Sequence, residues 1–186
     1  MDLGFLGRKK KPLSFEALAM QAERQVYKTC FHMMGNAQDA ADCAQETMLR
    51  AYRAFSSFRQ DAQFSTWITR IALNVCTDEL RRRRPVVSLE GMREETGFDP
   101  PSGQKSVYSQ LEDRERMRLL RKALSELPED ARRLIVMRDL RNMSYEEIAS
   151  VLDLPLGTVK SRISRARNKL AELLKVSAEL FSSASV

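Results

Sequence analysis

Apolar residues return every three or four positions through most of this chain, and the places where they stop returning divide it. Phe15, Leu18, Ala22, Val26, Cys30 and Met33 mark one face of a first helix, ended by Gly35-Asn36. "AQDAADCAQETMLRAYRAF" restarts the pattern with acidic residues in its early turns, where the positive end of the helix dipole favours them. "SSFRQDAQ" is polar and breaks the period. "FSTWITRIALNVCTDELRRRR" then predicts a third long helix, with Ile68, Ile71, Ala72 and Val75 on its core face. Three helices of this size make one compact bundle over residues 14–84.

The stretch from Pro85 to about residue 107 mixes Pro, Gly, Ser and acidic residues without helical period, and reads as a linker or extended arm. Helical pattern resumes at "YSQLEDRERMRLLRKALSELP", and Pro128 opens a further helix, "PEDARRLIVMRDLRNM". Ser144 followed by Glu147 fits the capping box, in which each side chain satisfies the other's backbone amide. It starts a short helix with Ile148, Ala149, Val151 and Leu152 as its apolar face. That helix stops at "DLPLG": Pro155 cannot continue it and Gly157 permits a tight turn, after which a longer helix begins at Thr158. Short helix, tight turn and long basic helix form the helix-turn-helix pattern. The final "SAELFSSASV" reads as a frayed tail. The predicted fold class is therefore all-α. Two small helical domains, an N-terminal bundle (14–84) and a C-terminal helix-turn-helix domain (111–175), are joined by a flexible acidic linker (85–110).

Charge sharpens this picture. The net charge is +6, and its distribution is uneven. Residues 1–84 carry 14 basic and 9 acidic side chains, residues 85–113 carry 2 and 6, and residues 114–186 carry 15 and 10. Two basic blocks thus flank an acidic connector, which makes an anionic partner plausible for both domains. Cys30, Cys43 and Cys76 are odd in number and lack CxxC spacing, so neither a disulfide framework nor a zinc site is expected. His32 beside Cys30 reads as part of a helix face rather than as half of a metal pair. The opening "MDLGFLGRKKKP" places its basic residues after the apolar ones, the reverse of a signal peptide, and no apolar run is long enough to span a membrane. A cytosolic, reduced setting is expected. One His, no P-loop and no GxGxxG leave no credible catalytic constellation, and no cofactor is expected.

Three surfaces carry candidate chemistry. On the last helix, Val159, Ile163, Ala166 and Leu170 share one narrow sector, while Ser161, Ser164, Arg165 and Asn168 occupy the opposite one. The latter are side chains suited to base edges in a major groove, with Lys160, Arg162, Arg167 and Lys169 on the flanks where phosphates would lie. Thr158 at the helix start can present its hydroxyl to a phosphate. A solvated basic face usually mixes in acidic partners, and residues 158–171 contain none. On the third helix of the bundle, Arg70, Asn74, Thr77 and Arg81 form a polar strip with Trp67 at its edge and Phe58 and Phe64 close by, a pattern that suits unpaired bases held by stacking. Trp67 suits the core equally well. The run at 81–84 reads as phosphate-contacting or simply solvated. On the second helix, Asp39, Asp42, Gln45, Glu46 and Arg50 make a mostly acidic stripe that faces water or docks a protein. Met48, Leu49, Tyr52 and Phe55 beside it exceed what one core face needs, which favours a partner groove.

With these strings together, the chain resembles bacterial sigma factors of the extracytoplasmic-function (ECF) group. The resemblance lies in "DAADCAQETMLRAYRAF", "FRQDAQFSTWITRIALNVCTDELRRRR" and "LPEDARRLIVMRDLRNMSYEEIASVLDLPLGTVKSRISRARNKL", which cover most of residues 14–174. It extends only to sigma domains 2 and 4 and their linker. The resemblance implies that the acidic helix binds the β′ clamp helices of core RNA polymerase, with Asp42, Gln45 and Glu46 leading and Asp39, Met48 and Arg50 beside them. It implies that "FRQDAQFS" and the helix after it, through Phe64, Trp67, Arg70, Asn74, Thr77 and Arg81, recognise and melt the −10 promoter element, with Asn74 where the family reads a flipped base. The helix from Thr158 would read the −35 element through Lys160, Ser161, Ser164 and Arg165, with Arg162 and Asn168 alongside, while its domain meets the β flap. The family often has an aromatic at the position of Ser164. The acidic connector would thread through the polymerase near the active site and RNA exit path. An anti-sigma factor, often membrane-anchored, would hold such a protein inactive at the inner membrane. The linker would leave the two readers unregistered in the free chain, so promoter binding would need polymerase to fix their spacing. The main rival is a stand-alone regulator whose helix-turn-helix is switched by an effector pocket in residues 14–84.

Overall fold

In the computed structural model the chain is described over residues 14–58, 63–83 and 107–183, with side chains over 14–58, 63–83 and 114–176. The basic residues at the start, part of the "FRQDAQ" loop and the acidic connector of 84–106 lie outside the described residues. Helix α1 (Phe15–Met34) begins where the Ser14 hydroxyl accepts the Ala17 amide at 3.3 Å. It ends at Gly35, whose φ of 84° only glycine adopts cheaply. Asn36 caps α2 (Ala37–Ala54), accepting from the Asp39 amide at 2.9 Å. A single 3₁₀ turn (Phe55–Ser57) closes α2, and α3 (Phe64–Arg82) completes a three-helix bundle. The face anticipated for α3 is buried at Ile68, Ala72 and Val75, and half-buried at Ile71. Cys30, Cys43 and Cys76, one from each helix, are free thiols in the bundle interior.

The second half consists of α4 (Val107–Glu126), α5 (Glu129–Ile135), α6 (Tyr145–Leu152) and α7 (Leu156–Ser183). Three details differ from the sequence reading. The helix opened by Pro128 widens after Ile135 into a π-helical turn (Val136–Leu140). Gly157 does not make the tight turn. Asp153 does, taking the left-handed conformation (φ 52°) that a short polar side chain tolerates, and its amide bonds the Ala149 carbonyl. Gly157 instead lies inside the first turn of α7, which starts at Leu156, two residues before Thr158. The supposed frayed tail stays helical to Ser183, because no Gly or Pro interrupts its Ala, Glu and Leu.

The two halves are packed against each other. Met33 and Met34 of α1 share a buried apolar cluster with Leu134, Val136, Met137 and Met143, and that cluster runs on to Ile148, Val159 and Ile163. Arg132, only 8% exposed, donates to the Met33 carbonyl of α1 and to the carbonyls of Ser125 and Leu127 in the α4–α5 turn. The two helical domains expected from the sequence are both present, and they lie packed against each other.

His32, at the end of α1, has its Nδ1 buried without a partner. Burial, and then the positive fields of Arg141, Lys28 and Arg121, hold its imidazole down at about 4, against an ordinary value of 6.5. A histidine whose folded value is depressed stabilises nothing on protonation. Its neutral form is favoured in the fold, so stability is lost as pH falls from 6.5 toward 4, by roughly 3 kcal/mol at the lower end. Chemical denaturation of His32→Gln across that window should show a flatter decline than the parent, and parallel curves would exclude the buried neutral imidazole. A Cβ at Gly157 would meet nothing within 4 Å. Gly157→Ala should thus stabilise the fold by about 0.5–1 kcal/mol, visible as a higher Tm.

Candidate nucleic-acid interface

The first surface depends on how α6 is capped. The Ser144 hydroxyl accepts the Glu147 amide at 3.0 Å, and the Glu147 carboxylate accepts the Ser144 amide at 2.8 Å, which is the box anticipated from the sequence. With α6 fixed and reversed at Asp153, the Val159 amide donates to the Pro155 carbonyl at 3.1 Å and α7 begins. Val159, Ile163 and Ala166 are buried and Leu170 half-buried. On the opposite side Lys160, Ser161, Arg162, Ser164, Arg165 and Asn168 are all exposed, with Thr158 half-buried at the rim. The helix thus turns every candidate base reader to solvent because its narrow apolar sector is fully used inside.

The hydrogen bonds on this face are local and exchangeable. Ser161 donates to the Thr158 carbonyl at 3.0 Å, and Arg165 Nε donates to the Ser161 carbonyl at 3.4 Å. Tyr145 of α6 supports the rim, with the Arg138 guanidinium 4.5 Å and the Lys160 ammonium 5.9 Å from its ring centroid. Arg167 behaves differently from the other flank residues. It pairs with Asp139, Nε to Oδ2 being 3.1 Å, and this partner raises its pKa. It ties α7 to the π-helical turn.

The second surface is the α3 strip. Arg70, Asn74 and Arg81 are exposed, but Thr77 is buried, with its hydroxyl unpaired. The strip is already in use by the other half of the chain. Arg133 of α5 donates to Asn74 Oδ1 at 2.7 Å, and Arg81 Nε lies 3.6 Å from Glu129 Oε1. The aromatic residues beside the strip form one cluster, Trp67 lying 5.0 Å from Phe58 and 5.5 Å from Phe64 between ring centroids. Trp67 is half-buried in it, so the core and surface readings each describe one side of the ring. Phe15 and Phe55 join the cluster edge-on, 5.4 Å apart. Phe15 was legible only as a core residue of α1.

The third surface is α2. Asp42, Gln45 and Arg50 are exposed, Asp39, Glu46 and Met48 partly so, and Leu49 (48%) and Tyr52 (63%) present apolar area to solvent. A groove of about 500 Å³ runs between α2 and the end of α3. Its charges are internally matched. Arg50 reaches Glu46 at 2.7 Å and Asp78 at 3.0 Å, both raising its pKa. Arg83 chelates Asp39 and also meets Glu79 at 2.8 Å. The Arg83 bond holds the Asp39 carboxyl below the ordinary carboxylate range, against a smaller opposing effect of burial. Asp39 thus latches α2 to α3, while Asp42 is exposed and accepts from Gln38 Nε2 of its own helix at 3.5 Å. The reading of the 81–84 run as solvated or phosphate-bound missed this latch, although the four-residue spacing from Glu79 to Arg83 was its signal. Among the described residues no group of three or more His, Cys, Asp or Glu side chains could hold a metal, and no helix is long and apolar enough to cross a membrane.

Comparisons with known proteins cover both halves of the chain. Residues 18–86 match the family model "Sigma-70 region 2", and residues 117–170 match "Sigma-70, region 4". The chain is 34% identical over 168 residues to the RNA polymerase sigma-H factor of Pseudomonas aeruginosa, covering 87% of this chain and 86% of that protein. It is 38% identical over 146 residues to the ECF RNA polymerase sigma-E factor of Escherichia coli, covering 74% and 76%. Among solved structures it is similar to the sigma factor RpoE of Bartonella quintana, determined in complex with the anti-sigma factor NepR. That match has a TM-score of 0.68 at 26% identity, over 87% of this chain and 97% of that one. It is also similar to CnrH, determined with the cytosolic domain of CnrY, with a TM-score of 0.61 at 28% identity, over 87% and 88%.

Proposed function

Because this chain belongs to the sigma-70 family, in its ECF group, we propose that it programmes core RNA polymerase for a set of promoters, with each of its three surfaces taking one share of the work. The observation that carries the reading is α7. Its apolar sector is spent on the core, the opposite sector exposes Ser161, Ser164, Arg165 and Asn168, and Lys160 and Arg162 are exposed on the flanks, all behind a capped turn. Such a helix enters a major groove with its readers toward base edges and its flanking cations toward phosphates. It would read the −35 element while its domain rests on the β flap.

The α3 strip and the aromatic cluster would take the −10 element. Opening a base pair exposes flat apolar faces, which Phe64 and Trp67 can stack on, while Asn74 and Arg70 offer hydrogen bonds to the freed edge. The α2 face would dock the β′ clamp helices through Asp42, Gln45 and Glu46, with Met48, Leu49 and Tyr52 supplying apolar area. The acidic side chains explain how a protein of net charge +6 keeps this one face from DNA. Neither reader needs high affinity alone, because polymerase holds both at promoter spacing. The chain carries out no bond chemistry in this scheme.

Solved neighbours held by anti-sigma factors support control of the same kind here, by a partner that covers these surfaces until it is removed. The protein would then act in the cytoplasm, and would be held at the inner membrane where such a partner is membrane-anchored.

The test is transcription in vitro from purified chain and core polymerase on a cognate promoter, where the absence of a promoter-specific transcript refutes the reading. Asp42→Lys with Glu46→Lys should abolish binding to core polymerase measured by size-exclusion or fluorescence. Asn74→Ala should leave that binding intact and slow promoter opening, followed by permanganate reactivity of unpaired thymines. Arg165→Ala should cost about 1–3 kcal/mol at one upstream base pair and relax preference there. An equal loss on every sequence would make Arg165 a phosphate contact instead.

A further inference from the structure

The thiols of the bundle form a cluster rather than scattered core residues. Cys30 of α1 and Cys76 of α3 are fully enclosed, Cys43 of α2 is 4% exposed, and all three are free. The Cys76 thiol interacts with both of the others. Of the three, only Cys43 also lines the groove of about 500 Å³ between α2 and the end of α3, beside Asp39 and Arg83. Its neighbours set its chemistry. The Cys76 thiol holds the Cys43 thiol below its ordinary range, with Arg83 assisting and burial and the Asp39 and Asp42 carboxylates opposing. Cys76 moves the other way, raised by Cys30, by Cys43 and by burial. Cys43 therefore gives up its proton before Cys76 does, and a thiolate is the nucleophilic form of cysteine. The groove walls carry five carboxylates against three guanidinium groups, a balance that turns away anionic reagents and admits a small neutral one.

We propose that Cys43 is a modification site: hydrogen peroxide entering the α2–α3 groove oxidises it, and Cys76 behind it is the resolving thiol. In the first step the Cys43 sulfur attacks one peroxide oxygen. The S–O bond forms, the O–O bond breaks, and the departing hydroxide takes a proton to become water, leaving a sulfenic acid. In the second step the Cys76 sulfur attacks the Cys43 sulfur. The S–S bond forms, the S–O bond breaks, and the second hydroxide leaves as water with the Cys76 proton. Two thiols thus lose two electrons and two protons to one peroxide, which becomes two waters. The first step removes the Cys43 thiolate, one of the groups that raised Cys76, and so favours the second. The product joins α2 to α3 at the groove floor, where the Asp39–Arg83 pair already links the same helices. The proposal stands on the groove and the thiols, whichever partner α2 meets.

The test uses the full chain, reduced, freed of reductant, exposed to hydrogen peroxide and quenched with N-ethylmaleimide. Mass spectrometry should show two of the three free thiols lost and the mass lowered by two hydrogens. Cys30 and Cys43 share one tryptic peptide, so an Asp-specific protease must also cut before Asp39 or Asp42 to show that the link is Cys43 to Cys76. Cys76→Ala should stop at the sulfenic acid, trapped on Cys43 by dimedone, and Cys30→Ala should leave the link intact. The parent's map decides the proposal even where a core substitution prevents folding. A link made by any other pair, oxidation of Cys43 that never reaches Cys76, or thiols that react only after unfolding in urea overturns it.

Discussion

A single buried guanidinium sets the relation between the two halves. Arg132 lies where two helices end, and helix ends leave carbonyls that no backbone amide can reach. It answers three of them at once, on Met33 at the end of α1 and on Ser125 and Leu127 between α4 and α5. Its charge faces the negative ends of two helix dipoles, which is the arrangement that tolerates a buried cation. Burial lowers its pKa, with Glu129 opposing the effect, but a guanidinium keeps its proton through such a shift. Without it each of those carbonyls would cost on the order of 1–3 kcal/mol if left dry. The α4–α5 turn is thereby fastened to the bundle. Gly35 ends α1 beside this joint, its left-handed φ of 84° turning the chain toward α2.

Everything near the α3 strip follows from that fastening. With the turn held on α1, the first residues of α5 must run past α3, which brings Glu129 and Arg133 to Arg81 and Asn74. The contrast between the two regions is informative. Arg132 spends both terminal nitrogens on carbonyls amid apolar residues and leaves its Nε unpaired, whereas the contacts at the strip are polar and, at Arg81, stretched. Water competes effectively with the second kind of contact and poorly with the first. The joint is therefore apolar around Arg132 and polar along the α3 strip.

Much of this was legible in the sequence wherever local rules decide the outcome. Helical period placed the helices of both halves, the Ser144 and Glu147 pair announced its capping box, and the opposition of Val159, Ile163 and Ala166 to the exposed readers of α7 follows from 100° spacing alone. What was not legible depends on residues far apart in the chain. Arg132 and Arg133 are adjacent and look alike in the sequence. One is buried and bonds a carbonyl 99 residues away in number, and the other meets an amide side chain 59 residues away. The same limit explains Asp39 and Arg83, which read as a partner contact and a solvated charge until α2 and α3 are side by side. At the α6–α7 turn the miss was local. Gly157 was the obvious turn former, yet Asp153 took the left-handed position, because a short polar side chain pays little more for it and Pro155 then starts the next helix.

The two reading surfaces thus enter any encounter with a promoter on unequal terms. The row on α7 is presented on a rigid helix whose opposite side is locked into the core, so its use requires no rearrangement beyond exchanging local bonds such as Arg165 to the Ser161 carbonyl. Under the proposed −10 assignment, full use of the α3 strip would break the contacts of Asn74 and Arg81 to α5, and the free energy for that would come from elsewhere. DNA alone is a poor source, since a few exposed polar contacts in salt must first repay the joint. Under the proposed assignments, a protein surface that grips α2 through Asp42 and Glu46 and the second half at another point would be a better one, because it could draw the halves away from the packed joint at Arg132. Assembly on polymerase would then couple spacing to release of the strip in one step. Strand opening at the −10 element would follow the commitment of both halves rather than precede it.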